Sequence, residues 1–139
     1  MWQVTGQPMS ADWLDLKPIR VLYDFDGPKI FTCKDQTGQP FLAFQCSVDR
    51  STMRYLVVPF GDGLETRLTN GDINVRDALT RPKMWVFDLD NSWQPVRCWR
   101  VSVDDLPSHL LPRPGAALRN GSDRPGCNET RIFATKHLT

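Results

Sequence analysis

Residues 84–103, MWVFDLDNSWQPVRCWRVSV, read as a β-hairpin. Two apolar, aromatic-rich runs flank Asp90-Asn91-Ser92, whose short polar side chains hydrogen-bond the local backbone and so close turns. Along 97–103 the apolar residues Trp99, Val101 and Val103 alternate, which puts them on one face of a strand. Three of the five tryptophans, Trp85, Trp93 and Trp99, lie in this stretch, making it the main source of large apolar surface for burial. Trp85 and Trp99 are expected in the core. Trp93 stands in the loop before Pro95 with no strand face of its own, so it reads as a surface binding anchor.

Upstream, period-two patterns recur. Strands are expected over 19–24, with Ile19, Val21 and Tyr23 on one face, and over 29–34. Two more are expected at 40–48 (Leu42, Phe44, Cys46 and Val48 on one face) and at 53–60 (Leu56, Val58, Phe60). Short turns at Gly27-Pro28, at 35–38 and at 49–52 separate them, and such short links suit antiparallel neighbours. The period then lengthens. Leu64 and Leu68, four apart between Gly63 and Asn70-Gly71, predict a short helix. Asp72 is a candidate N-cap for a second helix through Val75 and Leu79, ending before Pro82. Asp104 or Asp105 is expected to cap a third, carrying Leu106 and Leu110. The expected fold class is α+β, mainly β: an antiparallel meander sheet or partly open barrel of about six strands, with two or three short helices. Residues 1–17 read as a weakly structured arm in which Ser10 caps one helical turn holding Trp13 and Leu14. Residues 18–112 read as a single β-rich domain, and 113–139 as a basic, Pro/Gly-rich tail ordered by a partner. Within the tail, 131–135 has enough β character to add as a strand to a partner or to its own sheet.

Composition excludes little but points one way. With 40% apolar and 24% charged residues the chain has an ordinary globular mix, and a formal net charge of +1 gives no global attraction for nucleic acid or anionic lipid. No apolar run reaches membrane-helix length, and the first residues lack the basic start and apolar core of a signal peptide. Cys33, Cys46, Cys98 and Cys127 form no C-x-x-C pair, so free thiols in a reducing cytoplasm are expected.

Candidate chemistry centres on aspartates. Val21-Leu22-Tyr23-Asp24-Phe25-Asp26-Gly27 looks like the first signature of haloacid-dehalogenase phosphatases, where paired aspartates serve as nucleophile and general acid beside magnesium. Pro28 and a returning strand follow at once, where that family has a loop and helix, so turn chemistry is the favoured reading and a phosphatase using Asp24 and Asp26 the alternative. If any metal binds, Asp24, Asp26, Asp88 and Asp90 are its ligands, by convergence of two Asp-x-Asp hairpins; none is expected, and no cofactor either. His109 and His137 make no nucleophile pair with a cysteine that the sequence can specify. Arg97, Trp99 and Arg100 set bases beside an aromatic, which keeps a nucleic-acid-binding accessory protein as a further alternative, within a complex.

The order of segments resembles a family of small uncharacterised bacterial proteins, a domain of unknown function. The residues that carry it are Tyr23-Asp24-Phe25-Asp26-Gly27-Pro28 (with Phe25-Asp26 inserted relative to the usual Tyr-Asp-Gly-Pro) and Gly38 to Leu42. They continue through Tyr55-Leu56-Val57-Val58-Pro59, the segment from Gly71 to Arg76-Asp77-Ala78, and the closing Leu106-Pro107, Leu111-Pro112 and Pro114-Gly115. The resemblance covers 19–115 and implies a similar fold, with no activity attached. The expected function is a non-enzymatic protein-interaction module, an accessory or regulatory subunit of a larger bacterial complex of the kind encoded beside toxin or phage-defence components. Its partner would be another protein or a second copy, with no membrane, and its contact residues Trp93, Arg76, Asp77, Arg97, Arg100, Arg131 and Phe133.

Overall fold

The structure, a computed structural model, describes residues 2–61, 63–112, 114–120 and 130–132. Its framework is one antiparallel sheet of seven strands: β1 (Gln7–Met9), β2 (Leu14–Asp24), β3 (Pro28–Asp35), β4 (Pro40–Val48), β5 (Met53–Pro59), β6 (Met84–Leu89) and β7 (Pro95–Val101). The spatial order is β1-β7-β6-β5-β4-β3-β2, so the expected meander runs from β2 to β7. The seventh strand, β1, comes from the segment read as an unstructured arm. No helical turn follows Ser10; the chain is already in β2 at Leu14. Just before β1, a Cβ on Gly6 would fall 2.3 Å from the Arg100 carbonyl oxygen, so only glycine allows this approach to β7.

The connection between β1 and β2 bends the sheet. These strands occupy opposite edges, yet only residues 10–13 join them. A flat seven-stranded sheet would be about 29 Å across at ~4.8 Å per strand. The extended chain from Met9 to Leu14 reaches at most about 17 Å. The sheet therefore curls until its edges approach, without pairing to each other. The concave face gathers Leu14, Leu16, Phe31, Tyr55, Phe87 and Cys98, with Trp13 and Trp85 packed against them. The opposite face, carrying Ile30, Leu42, Leu56, Val86 and Val101, is covered by Leu68, Leu79, Leu106, Leu111 and Leu118 from the helices and the C-terminal segment. With both faces buried, Tyr55, Leu56, Val57 and Val58 are consecutive and fully buried, and simple alternation stops being a guide to exposure.

β2 departs furthest from its expected pattern. Ile19 and Val21 are 59% and 41% exposed, while Leu22 is buried and Leu14 and Leu16 serve the other face. Register shifts on either side of Arg20 reverse which residues face inward, and Pro18, with no N–H to donate, fits such an irregular edge strand. The helices α1 (Leu64–Thr69) and α2 (Val75–Leu79) form as predicted, but Asn74 rather than Asp72 caps α2, its side-chain oxygen accepting from the Asp77 N–H at 2.7 Å. In place of a third helix there are two 3-10 turns, Val103–Asp105 and Ser108–Leu110; Ser102, with a reciprocal bond to Asp105, caps the first. The core continues past Pro112 through buried Ala116 and Leu118. There β8 (Leu118–Asn120) pairs with β9 (Thr130–Ile132) in a separate two-stranded sheet, so the strand expected in the tail pairs within the chain. No helix among the described residues is long and apolar enough to cross a membrane.

Candidate functional site

The four aspartates do not act together. Asp24 accepts the Gly27 N–H at 3.2 Å, and Asp26 occupies the left-handed region at φ 60°, so both belong to the β2–β3 turn. Asp90 accepts from the backbone of Ser92 at 2.9 Å and Gln94 at 3.0 Å, a turn role again. Asp88 is different. It lies inside β6 rather than at a strand end, is fully buried, and takes Arg54 through two bonds, Nε to Oδ1 at 2.7 Å and Nη2 to Oδ2 at 2.9 Å. Arg97 Nε adds a third bond at 3.0 Å from the next strand. Among the described residues no three His, Cys, Asp or Glu side chains gather as a metal would require.

Arg54, in phase with Leu56, Val58 and Phe60, is the buried charge that sequence reasoning left out. Register sets Arg54, Asp88 and Arg97 directly across three neighbouring strands, so the charges meet wherever the backbone pairs. The Arg54 guanidinium also lies 5.8 Å from the Trp2 ring and 5.4 Å from the Trp99 ring, and donates to the Trp2 carbonyl. An isolated buried carboxylate would be costly; two guanidiniums and two indoles make this one tolerable. The same contacts absorb the stacking set of the nucleic-acid reading. Trp99 already stacks on Arg54, Arg97 turns to Asp88, and the Arg100 guanidinium lies 6.0 Å from the Trp85 ring.

Nucleophiles are muted. Burial pushes the Cys33 thiol up to about 12, with Asp15 adding to it, and pushes Cys46 to about 12 and Cys98 to about 11. These thiols stay protonated near neutrality and behave as small apolar groups. Burial likewise raises Tyr55 to about 12, against a smaller opposing effect of its bond with Gln45. His109 is exposed in the second 3-10 turn.

The sequence-predicted contact residues are spread over the molecule. Arg76 donates to the Pro112 carbonyl at 2.8 Å and to Ser108 Oγ at 2.9 Å, anchoring α2 to the segment that covers it, while Asp77 pairs with Asn74 at the helix start. Trp93 is no free anchor. Its backbone takes a left-handed conformation (φ 64°) that turns the indole inward onto Phe31 and Tyr55, at 6.1 and 5.7 Å, and its Nε1 donates to Leu16 O at 3.0 Å. It plugs the seam between the sheet's edges. Arg131 lies in β9, and Phe133 lies outside the described residues.

A family model, described as a family of unknown function (DUF6575), matches residues 13–120. The chain belongs to this family. No curated protein and no solved structure matches it. The DUF6575 segment begins one residue before β2 and ends with β8, a span that contains residues 19–115 and leaves β1 outside. Two exposed features fall inside it. One is Phe25, 69% exposed at the β2–β3 turn between Asp24 and Asp26. The other, at the opposite end of the strands, is a cleft of about 540 Å³ floored by Pro59, Leu64 and Pro82 and bordered by Arg67, Arg81 and Lys83. The turn carries two acidic side chains, and the described residues lining the cleft include three basic ones.

Proposed function

We propose that this DUF6575 chain is a non-enzymatic protein-interaction module, an accessory subunit of a larger bacterial complex in the reducing cytoplasm, and that Phe25 is its principal contact residue. The observation that carries this reading is the exposure of a large aromatic at a tight hairpin tip, where burial on a partner returns apolar area to a dry environment. Ile19 and Val21 on the same strand extend the apolar surface toward the tip. Supporting it, Asp24 and Asp90 act as turn acceptors, Asp88 is held in a buried ion pair, and Cys33, Cys46 and Cys98 are protonated thiols. The free state of Cys33, Cys46 and Cys98 fits a reducing compartment.

The test is affinity purification of the tagged chain from its native host beside a Phe25→Ala variant. Proteins that co-purify with the wild type and drop at least about tenfold with the variant, which corresponds to about 1.4 kcal/mol of binding, would support the reading. An unchanged set of partners, or a wild type recovered alone and monomeric, would contradict it.

A further inference from the structure

We infer that the partner met by the Phe25 tip includes a second copy of this chain, bound through the cationic cleft between β5, α1 and the segment leading into β6. This rests on the reading of Phe25 as a contact residue and adds its occupant. The two surfaces match in chemistry. The tip offers one exposed aromatic ring flanked by Asp24 and Asp26. The cleft offers an apolar floor of Pro59, Leu64 and Pro82 rimmed by Arg67, Arg81 and Lys83, in a volume of about 540 Å³, within the range of pockets that enclose compact ligands. An aromatic inserted on the floor would bring both carboxylates to the rim, where opposite charge favours and orients the encounter.

The surfaces also sit where self-association demands. β2 delivers Phe25 at the end of the sheet where β4 finishes, whereas β5 finishes and β6 starts at the other end, beside the cleft. A molecule therefore cannot fold its own tip into its own cleft, and a tip-to-cleft contact is heterologous: it leaves a free tip on one copy and a free cleft on the other, so it propagates head to tail. The contact area is that of one hairpin, so the association belongs to the small, transient class and grows with concentration. Charge on both sides makes it weaken as salt rises.

The experiment is sedimentation velocity on wild type, on two variants and on a mixture of the two variants. Wild type should show a weight-average mass rising with concentration at about 0.05 M salt and falling back toward monomer at about 0.5 M. Phe25→Asp keeps the cleft and loses the tip; Arg67→Glu with Lys83→Glu keeps the tip and loses the cleft. All three altered residues are exposed, and a urea titration confirms that each variant is folded. Alone, each variant should stay monomeric. Mixed, they should form dimers that do not grow further, because each complex has used its one intact tip and one intact cleft. A monomeric wild type at every concentration, a variant that self-associates like wild type, or a mixture that stays monomeric while wild type assembles would overturn the inference. The interaction-module reading fails separately: a monomeric wild type that still captures host proteins through Phe25 leaves that reading in place and removes only the second copy as partner.

Discussion

The β2–β3 and β6–β7 turns look alike as text and differ as structures. Each has an Asp-x-Asp and an aromatic, Asp24-Phe25-Asp26 at one and Asp88-Leu89-Asp90 with Trp93 at the other. In the first, closure is tight, Asp24 pairs opposite Pro28, and Phe25 is thrown outward at 69% exposure. In the second, the turn is longer, and a left-handed residue at its end swings Trp93 back over Phe31 and Tyr55. Asp24 and Asp90 both serve their turns, but Asp88 falls one strand position deeper and becomes the buried partner of Arg54 and Arg97. The lesson is that turn length and the position of the left-handed residue, Asp26 beside the aromatic in one turn and the aromatic Trp93 itself in the other, decide which aromatic is plug and which is probe.

That contrast can be broken in order of effect. Arg54→Leu leaves Asp88 in the interior with only the half-exposed Arg97, and should cost about 3–5 kcal/mol of stability in urea unfolding; a loss under about 1 kcal/mol would mean the pair is not buried in solution. Trp93→Ala opens the seam and removes the cover over Tyr55, for an expected loss of about 3 kcal/mol, where a surface anchor would cost almost nothing. A third effect comes from pH. Cys33 and Tyr55 carry pKa values raised to about 12 from ordinary values of 9.0 and 10.0. Their contribution to stability is therefore fully present below pH 9.0 and is lost as pH rises from there toward about 12. The urea midpoint should hold through neutrality and fall steadily in that alkaline range, whereas a flat profile would place these groups in water. Smallest of all, Phe25→Ala should move stability by no more than about 0.5 kcal/mol, and a loss as large as that of Trp93→Ala would erase the distinction between the two turns.

Much of the fold was legible because strand alternation and short turns are local signals. Met84–Leu89 and Pro95–Val101 lie where residues 84–103 predicted a hairpin, and Leu64 and Leu68 did mark α1. What escaped notice is non-local. β1 owes its place to β7, far along the chain, with Gln7 opposite Arg100, and Gln7, Pro8 and Met9 are too short a run to show an alternation of their own. The inward turn of Trp93 depends on a positive φ that a tryptophan seldom adopts. Arg54 shares the parity of Leu56, Val58 and Phe60 and so falls on the face expected to be buried, but nothing local names its partner; the one available cue was a lone Asp88 in an apolar run needing an opposite charge. The cleft draws on β5, α1 and the approach to β6, three segments that only the closed fold brings together.

The most direct measurement is photo-crosslinking from the tip itself. With a benzophenone-bearing phenylalanine analogue at position 25, irradiation of the concentrated protein and mapping of the joined peptides should give crosslinks between chains, from residue 25 to the segments holding Pro59 to Arg67 or Arg81 to Lys83. Crosslinks confined within one chain, or joining residue 25 to the Phe31 and Tyr55 core, would contradict the outward tip and the contact built on it.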